Sequence, residues 1–196
     1  MFANRYTAFV DACSLVGTLR RNLLLTLAEA EFYRVRWSAE VLDETRTAIE
    51  GICINQGLQD AADRAQRSCE AMTRAFEDAE VDDYDAFRSV AAAIPDPKDI
   101  HVLAAALKVQ ASVIVTENLR DFPASVLDPL DIEVRCADTF IADTIALDEG
   151  RAVAAIRRMR ERLRRPEMAA SDLLLRMEAA GLTATADVLR PHIESL

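Results

Sequence analysis

Paired cysteines are missing from this sequence: Cys13, Cys53, Cys69 and Cys136 are scattered, and no two of them form a C-x-x-C pair. That spacing suggests neither a zinc site nor a thioredoxin-like motif. The thiols read as reduced and mostly packed, as in a cytoplasmic protein. Long hydrophobic runs are missing too. No segment reaches the roughly 18 apolar residues of a membrane span, and the opening MFANRYTAFVDACSLV has no long apolar stretch after a basic start. The expectation is a soluble protein that is not exported and has no membrane partner. Positive charge is scarce as well: 23 Lys and Arg stand against 33 Asp and Glu, a formal net charge of −10. Uniform repulsion of that sign weakens non-specific attraction to phosphate backbones, so only a local basic patch could reverse it. There is no internal repeat and no low-complexity linker. What is present is 196 residues, 51% of them hydrophobic, enough for one ordinary core with a small appendage.

Apolar runs and helical periodicities alternate along most of the chain. TAFVDA (residues 7–12) is a short apolar run containing Asp11, and SLVGTLRRNLLLTLAEAEF after it carries leucines at helical spacing. YRVRWS (33–38) alternates as a brief strand, and Ser38 is suited to cap a helix through AEVLDETRTAIEGI that weakens at Gly51. Residues 58–93 are charged and Ala-rich with no β-branched run, which predicts one or two surface helices bent near VDDYD. SVIVT (112–116) is nearly all apolar and β-branched, as a strand buried on both faces requires, and DIEVRC (131–136) makes a last strand. Such alternation predicts an α/β domain over residues 1–145, a parallel sheet covered by helices. Beyond it, RAVAAIRRMRERLRRP holds seven arginines in one helical stretch, and the remainder reads as two short helices around Gly181. Residues 146–196 are therefore expected to form a small helical extension.

In a parallel sheet the ligand site lies beyond the carboxyl ends of the strands, so the residues just after a strand are the ones to inspect. Asp11 is one, although a carboxylate there can equally cap the next helix. In the helix after Ser38, Val41, Thr45, Ala48 and Ile52 are taken as the buried stripe, with Glu44 on its edge. A carboxylate beside a buried stripe needs a cation or donors, which favours Glu44 over Asp43 or Glu40. In DPKDIHVLAAAL, Asp96 suits the N-cap, Pro97 the first helical position and Asp99 the third, a helix start that needs no catalytic role. His101 is placed on the face of Lys108, away from Leu103, as a surface or boundary residue. VTENLRDFP puts Thr116, Glu117, Asn118 and Asp121 at the same edge as Asp11, though Asn118 and Asp121 are also ordinary turn residues before Pro123. Three or more carboxylates brought together repel unless they hold a hard cation, and oxygen ligands of this kind suit Mg²⁺ or Mn²⁺.

FVDACSLV, WSAEVLDETRTAI, DPKDIHVLAAAL and VIVTENLRDFP, in this order, resemble the PIN-domain ribonucleases, particularly the VapC-like toxins of bacterial toxin-antitoxin pairs. The resemblance covers roughly residues 5–140, and the tail from near Arg151 is similar to the helical extension of one VapC-like subgroup. It implies a PIN-like central parallel sheet flanked by helices and metal-dependent hydrolysis of RNA phosphodiesters. Matched by motif, Asp11, Glu44 and Asp99 are ligands or water-orienting groups. The family's T-x-D loop has Asn118 at its acidic position; its amide can still coordinate the metal or hold a metal-bound water but lowers the negative charge. Asp121 is the candidate to restore it, and both are expected among the metal residues with Asp11 and Asp99. Thr116 and Arg120 are expected at the substrate. Cys13 stands near where many relatives carry Ser or Asn. The resemblance further implies an RNA substrate, a cognate antitoxin that covers the crevice, and a homodimer. RNA needs basic surface, and Arg20, Arg21, Arg120 and the cluster of Arg157, Arg158, Arg160, Arg162, Arg164 and Arg165 are the available supply. The bland reading of that cluster is a solvated face balanced by Glu161 and Glu167, and it is preferred. No aromatic platform for base readout is visible. Two rival readings are a PIN-like binding or assembly module with weakened catalysis, which Asn118 would permit, and a phosphatase with Asp11 as nucleophile. The phosphatase would resemble the haloacid-dehalogenase family, whose pattern has a second Asp two residues after the first, where this sequence has Cys13, so that reading ranks low.

Overall fold

The computed structural model describes residues 6–162 and 168–196. Arg164, Arg165 and Glu167 lie outside the described residues. Five parallel strands form one sheet in the order β3-β2-β1-β4-β5: β1 (Thr7–Val10), β2 (Arg34–Ser38), β3 (Glu80–Val81), β4 (Val113–Val115) and β5 (Glu133–Arg135). The chain lays β2 and β3 to one side of β1, then returns to lay β4 and β5 on the other. The order therefore reverses between β1 and β4, and a crevice opens at such a switch point beyond the carboxyl ends of the two strands. Phe9 pairs with Ile114 there, and both strands are fully buried apart from slight exposure of Thr7.

Helices flank the sheet. The single helix expected after Asp11 is two, α1 (Ala12–Val16) and α2 (Thr18–Glu29), because Gly17 between them is extended. Arg21 secures the break. Its guanidinium is buried and donates to the carbonyls of Leu15 at 2.7 Å and Val16 at 3.2 Å, satisfying acceptors that α1 leaves unpaired at its end. This removes Arg21 from the basic surface to which the sequence assigned it. Ser38 caps α3 (Ala39–Asn55) as expected, accepting from the Val41 N–H at 3.2 Å. The helix continues through Gly51, and its buried stripe is Val41, Thr45, Ile49 and Cys53, whereas Ala48 and Ile52 are exposed. The expected and observed stripes share Val41 and Thr45 and part at the next turn, where the helix buries the residue four positions on, Ile49, and not the one three on, Ala48.

α4 (Ala61–Ala75) is the predicted surface helix. The two-residue β3 that follows was not expected, since it has no β-branched run and pairs only Glu80 and Val81 with Trp37 and Ser38. The short α5 (Arg88–Ala91) leads to α6 (Ile100–Lys108), which packs on β1, β2 and β4. Residues His101 to Ala106 of α6 are all buried, so this helix has no solvent stripe over its first two turns. α7 (Ala124–Leu127) precedes β5, and four helices complete the chain: α8 (Ala137–Leu147), α9 (Glu149–Arg162), α10 (Ala170–Ala179) and α11 (Thr183–Leu189). They are packed into the same hydrophobic cluster as the sheet, through Ile156, Leu173, Met177 and Leu189. Asp138 on α8 holds α11 by accepting from the N–H groups of Ala184 at 2.9 Å and Thr185 at 2.8 Å. The arginines of α9 are largely engaged by the protein: Arg157 with Glu161, Arg160 with the Leu196 carbonyl, Arg162 with Glu29. No helix among the described residues is long and apolar enough to cross a membrane.

Candidate active site

Asp11 follows β1, and its backbone N–H continues the sheet by donating to the Val115 carbonyl at 3.0 Å. The side chain does two things at once. One oxygen caps α1, accepting from the Ala12 N–H at 2.6 Å, and the other accepts from Thr116 Oγ1 at 2.6 Å and Cys13 Sγ at 3.1 Å. Asp11 is thus both the helix cap and a buried, oriented carboxylate, only 4% exposed. Thr116 is fully buried, and its hydroxyl also accepts from the Asn118 N–H at 3.1 Å. The Thr116 hydroxyl faces Asp11 and orients that carboxylate. Cys13 fits the same knot, 3.2 Å from Thr116 Oγ1 and accepting from the Glu117 N–H at 3.1 Å. Burial first, then the charge of Asp11, pushes the Cys13 thiol up to about 11, so it stays a neutral donor to the carboxylate.

The opposite wall is the turn Pro97–Asp99 before α6. Asp96 caps it, accepting from the Lys98 N–H at 2.9 Å, with Pro97 at the first position as the sequence predicts. Asp99 closes the turn with one carboxylate oxygen, Oδ2, buried and without a hydrogen-bond partner. Burial, then the charges of Asp11, Asp121 and Asp96, raise its pKa to about 6, against the opposing influence of His101. Asp121 ends the turn Leu119–Asp121 that follows β4. Asp96, Asp99 and Asp121 each present a carboxylate oxygen within 4.8 Å of the others. Asn118 is exposed, and its side chain makes no cap bond to that turn. Arg120 is exposed beside it, whereas Arg20 turns inward to the Cys13 carbonyl at 3.3 Å and lies 3.6 Å from Glu117.

Glu44 meets this cluster through a residue that the sequence had set aside. His101 is 5% exposed, with Nε2 3.2 Å from Glu44 Oε1 and Nδ1 3.7 Å from Glu40 Oε2. Burial alone would lower its pKa, but Glu44, Glu40 and Asp11 together outweigh burial and raise it. The imidazole therefore stands between the α3 glutamates and the aspartate crevice, where the surrounding acids favour its protonated form. The surface placement of His101 failed because it assumed one buried face, and α6 is buried all round in its first turns. Glu40, passed over earlier, is fixed by Tyr84 at 2.9 Å and Arg88 at 2.5 Å. Asp96 both caps its turn and joins the acidic cluster.

A buried carboxylate oxygen without a partner and three converging acids make an arrangement able to hold a hard divalent cation. The donor set is all oxygen, which fits such a cation and not a thiolate-binding metal. Residues 7–120, 58% of the chain by their extent, match the family model described as "PIN domain". The chain belongs to the PIN domain family. Residues 137–191 match a second model, "VapC50 C-terminal domain", so the PIN domain here is followed by a segment like that of VapC50. A protein of Mycobacterium tuberculosis (strain ATCC 25618 / H37Rv) bearing the name "Putative ribonuclease VapC50" is 46% identical over 59 residues, 30% of this chain and 35% of that protein. The alignment thus spans about a third of the relative's length. No solved structure matches the chain significantly. The five-stranded parallel sheet flanked by helices, followed by a helical part, agrees with the fold expected from the sequence.

Proposed function

We propose that this PIN-domain protein is a divalent-metal-dependent endoribonuclease, the toxin of a VapC-type toxin-antitoxin pair, hydrolysing RNA phosphodiesters in the crevice between β1, β4 and α6. The observation that carries this reading is the convergence of Asp96, Asp99 and Asp121 beside Asp11. Mg²⁺ or Mn²⁺ bound there would supply an activated water and neutralise charge on the scissile phosphate. Asp11, Asp99 and Asp121 would hold the ion, with Asp121 providing the carboxylate that Asn118 lacks. Thr116 and Cys13 hold Asp11 in one orientation, and His101 holds Glu44 toward the crevice while limiting its mobility. Arg120 is the exposed cation at the mouth available to an RNA phosphate. The proximity of Asp121 to Asp99 favours catalysis over the binding-module reading, whose premise was a depleted acid set.

The proposal extends to residues 1–145 as the nuclease unit with 146–196 as its helical extension, acting in the cytoplasm as a homodimer restrained by a cognate antitoxin. The test is incubation of total cellular RNA with the antitoxin-free protein in Mg²⁺, Mn²⁺ or chelator. Discrete fragments are expected with either metal, none with chelator, and none from Asp11→Asn or Asp99→Asn. Fragments that persist in chelator or in both variants would refute the assignment.

A further inference from the structure

At the end of the sheet opposite the acidic crevice, β3 is too short to cover its neighbour. It pairs with Trp37 and Ser38 only, so β2 is an open edge along Arg34 to Arg36, and the connection from α4 arrives as an irregular segment. The gap is a cavity of about 800 Å³. Four arginines line it: Arg34 and Arg36 from β2, Arg74 from the last turn of α4, and Arg151 from the start of α9. Arg34 and Arg36 are two residues apart on a strand and so point to the same face.

In a chain of net charge −10, four guanidinium groups around one hollow need a reason. Among the described residues, no carboxylate forms an ion pair with Arg34, Arg36 or Arg74, although most other arginines have one. Arg36 is half-buried and donates to the Asp78 carbonyl. Burial, then the like charge of Arg34, lowers its pKa, with Asp78 opposing. Placing like charges together with burial costs free energy that an anion would recover. Arg151 lies over the Phe32 ring at 4.1 Å and is, among the described residues, the one of the four with an ion-pair partner, Asp148 at 3.9 Å. Phe76 adds an apolar wall, and Glu31, Glu77 and Asp78 also line the cavity, three carboxylates against the four guanidinium groups.

We propose that this cleft between the open edge of β2 and the end of α4 binds a phosphorylated ligand of nucleotide size. Arginine forks match phosphate oxygens in pairs, and several forks converging on one hollow suit more than one phosphate. Acceptors beside them suit the hydroxyls of a sugar, and the volume lies within the range of small-molecule sites. The site is separate from the acidic crevice, needs no metal, and does not depend on the nuclease reading.

The experiment is calorimetric titration of the full chain with ADP, inorganic phosphate and a short single-stranded RNA, all in chelator. Saturable binding of ADP with a sub-millimolar Kd is expected, tighter than that of inorganic phosphate. Arg34→Gln and Arg74→Gln, both at exposed positions that leave the core intact, should each weaken ADP about tenfold or more, the loss of a charge-assisted contact. Asp11→Asn should leave ADP binding unchanged. The proposal is overturned if ADP gives no saturable heat, if its affinity is indifferent to both arginine substitutions, or if it is lost in Asp11→Asn. It is also overturned if only the RNA binds, since the arginines would then serve a polymer backbone.

Discussion

At the scale of single residues, Asp99 is held where its ionised form is least welcome. Its pKa is raised to about 6 by burial and by the neighbouring aspartates, above the ordinary 3.8. A folded-state pKa above the unfolded one means that stability present below about pH 4 is lost as pH rises through about 6 in the metal-free protein. Asp99→Asn should therefore stabilise the metal-free protein at pH 8 by about 1–2 kcal/mol, a value discounted for partial solvent screening. Thermal melts in chelator from pH 4 to 8 check this. The variant's advantage should grow with pH, and a variant that melts lower at pH 8 would contradict the repulsion. Thr116 makes the complementary case. Its hydroxyl donates to Asp11 at 2.6 Å in a fully buried position. Thr116→Val keeps the shape and removes the donor, so it should cost about 1–3 kcal/mol and release the Asp11 carboxylate from its fixed orientation. The check is denaturant unfolding together with RNA cleavage. Unchanged values in both would mean that the hydroxyl orients nothing. Asp11, Asp99 and Asp121 were legible in the sequence because each lies where an apolar run stops or a helix starts. His101 was not, because a periodicity argument needs a solvent side to count from and α6 has none there.

At the scale of elements, the strands with β-branched or strongly apolar runs could be located and β3 could not. Two residues that pair by backbone alone leave no pattern in the sequence. The break at Gly17 was equally hidden, since the leucine spacing runs on across it and the stabilising contact comes from Arg21. The link between α8 and α11 is another long-range contact invisible to local reading: Asp138 caps a helix more than forty residues away. Asp138→Ala leaves two N–H groups at the start of α11 without their acceptor, at a cost of about 0.5–2 kcal/mol. Hydrogen exchange should speed up in α11 and stay unchanged in β1 and β4. Uniform acceleration would mean that α11 is not a separately weakened element. No change in α11 would mean that the cap is idle.

At the scale of the whole molecule, the fold explains how an acidic chain concentrates still more acid in one place. The sheet order reverses between β1 and β4, so residues distant in sequence meet at one rim, and α6 delivers Asp99 to it. That convergence costs stability, and a bound cation would return it. The composition of the protein had already signalled the difficulty of bringing RNA to such a surface, and the structure sharpens it, since Arg21 is buried and the α9 arginines are mostly engaged by the protein. The central claim is that the crevice holds a divalent ion through Asp99 and Asp121 and not through Asn118. The most direct measurement is calorimetric titration of Mn²⁺ into the wild type, Asp99→Asn, Asp121→Asn and Asn118→Ala. The account predicts saturable binding weakened about tenfold or more by each aspartate substitution, and changed about twofold or less by Asn118→Ala. Mn²⁺ binding that survives both aspartate substitutions, or that is lost with Asn118, would contradict it.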